Sequence, residues 1–361
     1  MISINPEDYD IVKGILKKYP LTIYAYGSRT KEKHKKFSDL DLCVFDDTYK
    51  KLDIFNLQED LKESNLPFTV DVVPWSLMNK DFQWLIKNDL TLIQANPALL
   101  DFEQNLLSKI SYLSQKMKFK IEERSDCLLI DSNLNSSMFN VVYQKTIVSL
   151  PIKEVIDFYQ GQAFAWLFDS HSWANNMASV LLENGFYKES QEYCMTLQLD
   201  GEIQEWIPAF AGMTRDAGMA ASLTIKNVTT QVGLKDFSSI IEQYDNRACK
   251  MHLNEKIIES EFIARTPFFV AYINQKPVAT GSLHFSDNNH AGIHDVLVLE
   301  EHRGQGIATY MMKYLINYCQ QKGIGQVGLS TSSDPGYRIY EKLGFKLIGK
   351  FEWYEWSRKI T

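Results

Sequence analysis

The stretch Arg303-Gly304-Gln305-Gly306-Ile307-Ala308 decides how this chain is read. It follows His294-Asp295-Val296-Leu297-Val298-Leu299, an apolar run with the pattern of a strand. After it come apolar residues at Ala308, Met311, Met312, Leu315, Ile316 and Cys319, the spacing of one helix face. A strand that breaks into glycines and then a helix leaves the first backbone N–H groups of that helix unpaired. Those donors, with the positive end of the helix dipole, suit a pyrophosphate, which can approach the backbone closely only where no Cβ intervenes.

The spacing Arg303-x-x-Gly306-x-Ala308 resembles the acetyl-coenzyme A loop of the GNAT N-acetyltransferases. Downstream, Tyr340-Glu341-Lys342-Leu343-Gly344-Phe345 resembles the tyrosine-to-Gly-Phe block that closes the acyl site of that family. The resemblance covers residues 223–361. It implies that Arg303, Gly304, Gln305, Gly306, Ile307 and Ala308 hold the cofactor's pyrophosphate. Backbone groups near Leu297 and Val298 would contact the pantetheine and the thioester carbonyl. Tyr340 would be the general acid that protonates the departing thiolate, after direct attack by a neutral amine. Many family members carry asparagine where this chain has Ser333, with Gly336 following. That form resembles the tandem subgroup, and Ser333 is counted among the cofactor-binding residues. No glutamate stands where some members keep a general base. His284, His294 and Asp295 are the nearby candidates, and His290 with His294 is too small a set for a metal site.

A second chemistry sits in the first hundred residues. Leu21-Thr22-Ile23-Tyr24-Ala25-Tyr26 reads as a buried strand ending in Gly27-Ser28-Arg29, and Ser38-Asp39-Leu40-Asp41-Leu42-Cys43-Val44-Phe45 as another. Residues two apart on a strand share a face, so Asp39 and Asp41 lie together, opposite Leu40 and Leu42. Two adjacent carboxylates repel unless a cation sits between them. Asp71, in Phe68-Thr69-Val70-Asp71-Val72-Val73, supplies a third acid. Carboxylates beside a phosphate loop match the ligand preference of Mg²⁺. The order Gly-Ser, spacer, Asp-x-Asp, later acid resembles the minimal nucleotidyltransferases of the polymerase-β-like superfamily, over residues 1–100. The resemblance implies that Gly27 and Ser28 hold ATP or another nucleoside triphosphate. Asp39, Asp41 and Asp71 would bind the metals, and Asp71 would also help activate the attacking hydroxyl. Small domains of this kind resemble antitoxins that adenylylate a protein partner. The run Arg29, Lys31, Lys33, Lys35, Lys36 reads as a solvated surface.

Residues 101–118 read as a polar helical linker. Within 119–204, Phe139-Asn140-Val141-Val142, Ala165-Trp166 and Leu182-Glu183-Asn184-Gly185-Phe186 resemble the degenerate first copy found in tandem GNAT proteins. That segment has no Arg-x-x-Gly-x-Gly/Ala loop, so no cofactor is expected there. Its expected job is to pack on the other half and wall the acceptor pocket. Phe164, Trp166, Phe168 and Trp173 read as core aromatics. Residues 205–222, rich in Ala, Gly and Met and without helical or strand period, resemble a peptide translated from a repetitive genomic element. They read as a linker insertion. The catalytic acetyltransferase domain is then 223–361.

The chain has 361 residues, enough for two or three domains. With 45% hydrophobic and 23% charged residues it has the balance of a globular protein. The net charge of −7 opposes general nucleic-acid binding. Five scattered cysteines, Cys43, Cys127, Cys194, Cys249 and Cys319, suggest reduced thiols rather than disulfides or zinc. Neither a signal segment nor a membrane span is visible, so a cytoplasmic enzyme is expected. The expected fold class is α/β (α+β): a mixed nucleotidyltransferase sheet with helices, followed by a tandem GNAT-like mixed sheet flanked by helices. The expected activity is acetyl-CoA-dependent N-acetylation of a primary amine, on a small molecule or a protein. Two other readings stand beside it. One is an antitoxin-like nucleotidyltransferase with an accessory GNAT part, and the other is a regulator that binds nucleotide and coenzyme A without turnover.

Overall fold

Apolar runs bounded by turn residues become strands, and they assemble into two separate sheets. The computed structural model describes residues 2–31, 38–44, 51–86, 90–125, 127–144, 151–168, 177–199, 223–245 and 248–357. The insertion expected at 205–222 lies outside the described residues, as do Lys33, Lys35, Lys36, Trp173 and the side chain of Phe168.

Helix α1 (Pro6–Leu16) begins at Asn5, whose side chain accepts from the Asp8 N–H. The first sheet then forms from β1 (Ile23–Tyr26), β2 (Leu40–Val44), β3 (Val70–Pro74) and β4 (Thr91–Gln94), with α2 (Lys51–Lys62) and α3 (Lys80–Ile86) between strands. Its order is β3-β2-β1-β4, and only the β2–β3 pair is parallel. Leu40 and Leu42 bury beside Val12, Leu16, Leu57 and Leu61. That burial turns the alternate residues of β2, Asp41 among them, to the other face.

Helix α4 (Pro97–Met117) leaves this sheet directly. Its cap residue Asn96 accepts from the Ala98 N–H, and the Asn96 N–H donates to Thr22 Oγ1 at 3.1 Å. Past its first turns the helix lies against the second sheet. Asn105 Nδ2 donates to the carbonyls of His284 (2.9 Å) and His290 (3.3 Å), and Ser108 Oγ meets His284 Nε2 at 3.0 Å. Lys109 Nζ stands 3.8 Å from the Asp295 carboxylate. The segment expected to be a linker is therefore also a packing element of the second sheet.

The second sheet collects β5 (Lys120–Glu123), β6 (Cys127–Asp131), β7 (Val141–Gln144), β8 (Phe164–Phe168) and β9 (Tyr187–Gln198), with α5 (Ile152–Phe158) and α6 (Met177–Glu183). It continues through β10 (Leu223–Asn227), α7 (Gln231–Ile241), α8 (Ser260–Arg265), β11 (Phe268–Ile273), β12 (Lys276–Phe285) and β13 (His290–Val298). Last come α9 (Ile307–Gln321), β14 (Gln326–Thr331), α10 (Asp334–Lys342) and β15 (Lys346–Trp356). The order of its eleven strands is β10-β11-β12-β13-β14-β9-β15-β8-β7-β6-β5. Chain order and spatial order part company at one place. Strand β9 pairs along β14 from Gln326↔Gln198 to Thr331↔Tyr193, and β15 crosses to lie between β9 and β8. Each half of the sheet is completed by a strand from the other.

In the earlier half, Trp166 is fully buried, donates to Gln144 Oε1 at 3.0 Å and meets Phe186 edge-on. Phe164 stacks on Tyr159 at 4.1 Å between ring centroids. In the later half, Ile307, Met311, Met312, Leu315, Ile316 and Cys319 of α9 pack on Phe269, Leu283 and Ile293. All five cysteines are buried free thiols.

Two outcomes follow from this packing. Residues 223–361 expressed alone lack β9, so the edge of β14 is open. The fragment should aggregate, and co-expression with residues 1–199 should recover soluble protein, as gel filtration would show. Three buried histidines are held neutral: burial, with Lys109 and Arg265 nearby, lowers His284 to about 3, burial lowers His290 to about 4, and burial with Lys109 drives His294 well down. The unfolded chain protonates each near ~6.5. Below that value the unfolded state binds more protons than the folded one, so stability falls as pH drops. The loss approaches ~1.4 kcal/mol per pH unit for each histidine until its folded pKa is reached. Urea midpoints recorded at pH steps below neutrality should decline accordingly.

Candidate active site

Strands β13 and β14 run parallel but pair only at His290↔Gln326, Ala291↔Val327 and Gly292↔Gly328. Beyond Gly292 they separate. Two local features hold them apart. Asp295 takes a left-handed backbone (φ 55°), and the β12–β13 register shifts between Thr280 and Ser282, which is a bulge. On the far side, β9 keeps β14 straight through Thr331. The backbone of Ile293–Val298 thus faces a gap rather than a β14 partner. Strands β7 and β8 are also parallel, and among the described residues they pair from Val141↔Ala165 to Gln144↔Phe168.

A cleft of 740 Å³ occupies the gap. Leu297, Val298, Arg303, Gly304, Gly306, Ile307, Ala308, Ser333 and Tyr340 all line it. Gln305 points elsewhere, its amide donating to the Glu301 carbonyl at 3.4 Å. Gly304 (φ 76°) and Gly306 (φ 78°) carry the chain through left-handed turns into α9. Gly306 is the helix cap and offers no side chain, so the first N–H groups of α9 have no side-chain acceptor. A Cβ on Gly304 would meet nothing within 4 Å, which leaves the loop open to a ligand. Arg303 folds back over the end of β13: its Nε donates to the Val298 carbonyl at 3.3 Å and its Nη2 to Tyr244 Oη at 2.7 Å. Tyr244 Oη in turn donates to that same carbonyl at 2.9 Å. The guanidinium therefore fastens the loop to the strand.

At the other wall, Ser333 caps α10 by accepting from the Gly336 N–H at 3.2 Å. A Cβ on Gly336 would lie 2.6 Å from Ser333 Oγ, so only glycine allows that turn to close. One turn later Tyr340 reaches the cleft, its ring 6.0 Å from that of Phe345. Burial pushes its hydroxyl up to about 12, which keeps the proton on the oxygen.

Of the three expected base candidates, His284 is satisfied on both ring nitrogens, by Thr266 Oγ1 and Ser108 Oγ, and belongs to the core. His294 and Asp295 line the cleft. Burial alone would raise the Asp295 carboxyl, but Lys109 and a 2.5 Å hydrogen bond from Ser282 hold it at about 2. A group so firmly ionised is a poor proton acceptor. Among the cleft residues missed by sequence reasoning are Tyr244, which clamps Arg303, and Glu192 of β9, which accepts from Ser330 Oγ. The only signal for Glu192 is a charged residue directly before the apolar Tyr193-Cys194-Met195 of a strand.

In the first sheet, Tyr26↔Asp41 and Asp41↔Asp71 are direct neighbours across β1, β2 and β3. Gly27 (φ 83°) follows Tyr26, and a Cβ there would collide with the Asp41 carboxylate. Burial raises the Asp41 carboxyl, and Asp71 and Asp39 raise it further, so the three acids share one field. Among the described residues no set of three ligating side chains stands close enough to enclose an ion. Arg29, expected on a solvated surface, is buried: it donates to the carbonyls of Ser38 and Ser3 and lies 4.0 Å over the Phe68 ring. It shapes the entry to β2.

Comparison with known proteins gives a match for each half of the chain. Residues 235–345 match the acetyltransferase (GNAT) family, and residues 11–98 match the family described as polymerase beta, nucleotidyltransferase. The chain is 38% identical over 98 residues to a probable protein adenylyltransferase MntA of Haemophilus influenzae, covering 26% of this chain and 84% of that protein. It is 31% identical over 100 residues to human N-acetyltransferase 8B, covering 26% of this chain and 44% of that relative, under half its length. A solved GCN5-related N-acetyltransferase from Kribbella flavida superposes with a TM-score of 0.49 at 15% identity, over 70% of this chain and 95% of that one. Among the described residues no helix is long and apolar enough to cross a membrane. The chain belongs to the GNAT acetyltransferases through its C-terminal domain and to the polymerase-β-type nucleotidyltransferases through its N-terminal domain.

Proposed function

We propose that the chain is an acetyl-coenzyme A-dependent N-acetyltransferase of a primary amine, fused to a metal-dependent nucleotidyltransferase. The observation that carries the first half is the cleft between β13 and β14, which brings the glycine loop and Tyr340 to opposite walls. Acetyl-coenzyme A, when bound, supplies an activated acyl group. The uncapped start of α9 would hold its diphosphate, and the free edge of Ile293–Val298 would align its pantetheine arm. Tyr340 keeps its proton at neutral pH and has it to give to a leaving sulfur. The parallel β7–β8 pair and the strand β9 shared with β14 support reading residues 119–204 as a copy of the fold that completes the working sheet.

The nucleotidyltransferase half draws a second reading, in which it transfers AMP to a protein and the acetyltransferase half is accessory. It is favoured by the 38% identity to a probable protein adenylyltransferase. Asp39, Asp41 and Asp71 are hard oxygen donors whose mutual repulsion a divalent cation would relieve, and they would hold Mg²⁺. Nucleotide phosphates would complete its shell, as Mg²⁺ commonly requires. Gly27 and Ser28 would receive the triphosphate.

Gly306→Glu places a side chain and a negative charge at the helix start, and should weaken acetyl-coenzyme A binding by at least ~100-fold in calorimetry, beyond 2.7 kcal/mol. Unchanged affinity would remove the cofactor assignment. Tyr340→Phe should leave that affinity intact and lower kcat by ~10²-fold or more, followed as free thiol. For the first domain, Mg²⁺-dependent incorporation of label from ATP into protein should vanish in Asp41→Asn and Asp39→Asn, while thiol release by the second domain persists.

A further inference from the structure

Glu192 reaches the acetyltransferase cleft from outside the matched acetyltransferase region, on a strand that belongs in sequence to the earlier half of the sheet. Strand β9 carries it past the last β14 pair: Thr331 pairs with Tyr193, and Glu192 itself lies opposite Phe351 of β15. The strand exchange thus inserts a carboxylate at the mouth of the β13–β14 gap, on the wall that also carries Ser333 and Tyr340.

The surroundings of that carboxylate are specific. Its Oε2 accepts from Ser330 Oγ, and the Trp353 indole is its other polar neighbour; both are neutral. Among the described residues no lysine, arginine or histidine pairs with it. Asp295, the other carboxylate of the cleft, differs in this respect, because Lys109 stands at 3.8 Å and Ser282 donates to it. An ionised carboxylate with no cation costs free energy unless one arrives from solvent or a proton is taken up. Burial moves Glu192 in the latter direction, since it raises the carboxyl above the ordinary range against the opposing pull of Ser330 and Trp353. The cleft lining is mainly apolar, with few charged groups. Arg303 and His302 lie with the glycine loop at the donor end, and Glu192 is the one cleft carboxylate left without an internal counter-charge.

We propose that Glu192 is the acceptor-side catalytic residue of this cleft: it binds the substrate as a protonated aliphatic amine and removes its first proton. This rests on the acetyltransferase reading above and names the acceptor class that reading left open. The step balances. R–NH₃⁺ passes one proton to the Glu192 carboxylate, giving R–NH₂ and a neutral carboxylic acid. The nitrogen lone pair forms the C–N bond to the thioester carbonyl, the C–S bond breaks, and its electron pair leaves on sulfur. The sulfur takes the Tyr340 proton, and the second nitrogen proton restores Tyr340. Glu192 returns its proton to solvent, so one proton is released per amide formed.

The test uses the full chain, acetyl-coenzyme A and two probe amines of matched size, cadaverine and an arylamine that is already neutral at neutral pH. Wild type should release thiol with cadaverine. Glu192→Gln should keep the wild-type affinity for acetyl-coenzyme A and lose ~10²-fold or more in kcat/KM for cadaverine. With the arylamine, which needs no first deprotonation, its loss should stay within about threefold. A fold defect would lower both amines equally, so equal losses overturn the proposal, as does a Glu192→Gln enzyme that acetylates cadaverine normally. Glu192→Asp should recover part of the cadaverine rate. If wild type binds acetyl-coenzyme A yet acetylates no aliphatic amine, the acceptor class is wrong while the acetyltransferase reading stands. If it binds no acetyl-coenzyme A, that underlying reading fails first.

Discussion

Everything in the second sheet depends on where the hydrogen bonding between β13 and β14 stops. Three residue pairs join the strands and then the ladder ends at Gly292 and Gly328. A parallel ladder is uniform and continues wherever both strands stay straight, so its early end needs causes on both sides. On β13 the cause is Asp295, held in a left-handed backbone by a salt bridge to Lys109 and a hydrogen bond from Ser282. On β14 the cause is β9, which satisfies the opposite edge through Thr331. The gap that results is the cleft, with the unpaired edge of β13 along it.

Lys109 ties this arrangement to the rest of the chain. It sits on α4, which begins at a cap bonded to Thr22 of the first sheet. Asn105 and Ser108, on neighbouring turns, grip the backbone of His284 and His290 and the ring of His284. A mostly buried lysine beside a mostly buried carboxylate is costly if either partner is lost, because the survivor keeps much of its desolvation penalty. The helix that follows the nucleotidyltransferase sheet is therefore a structural member of the acetyltransferase site. One continuous element touches both.

Much of both sites was legible in the residues. Gly304 and Gly306 announce left-handed turns before a helix, and the spacing to Tyr340 identifies the opposite wall, because these features are local and their geometry follows from backbone sterics. The Asp39–Asp41 alternation and the later Asp71 were likewise readable, since strand period fixes which face a residue takes. Arg29 was not. It lies in a run of positive charge that looks solvated, yet three hydrogen bonds to the Ser3 and Ser38 carbonyls and the Phe68 ring enclose it. Such a pocket is built from segments distant in sequence, and no local pattern signals it. His284 was misleading for the same reason: its partners Thr266 and Ser108 come from other elements.

The sequence by itself determined the two domain families and singled out the glycine loop, the three acids and the tyrosine as candidate site residues, because each rests on residue types at short fixed spacing. Tertiary structure decided which strands stand beside one another. Local periodicity specifies that a segment is a strand and which face is apolar, but carries no information about its lateral neighbours. That is why the exchange of β9 and β15 was not visible in advance, and why Glu192 surfaced only in three dimensions. The loop at Arg303–Ala308 is legible from within a few residues. The wall facing it is assembled from a strand more than half the cleft's chain away, and only pairing free energies summed over the whole sheet place it there.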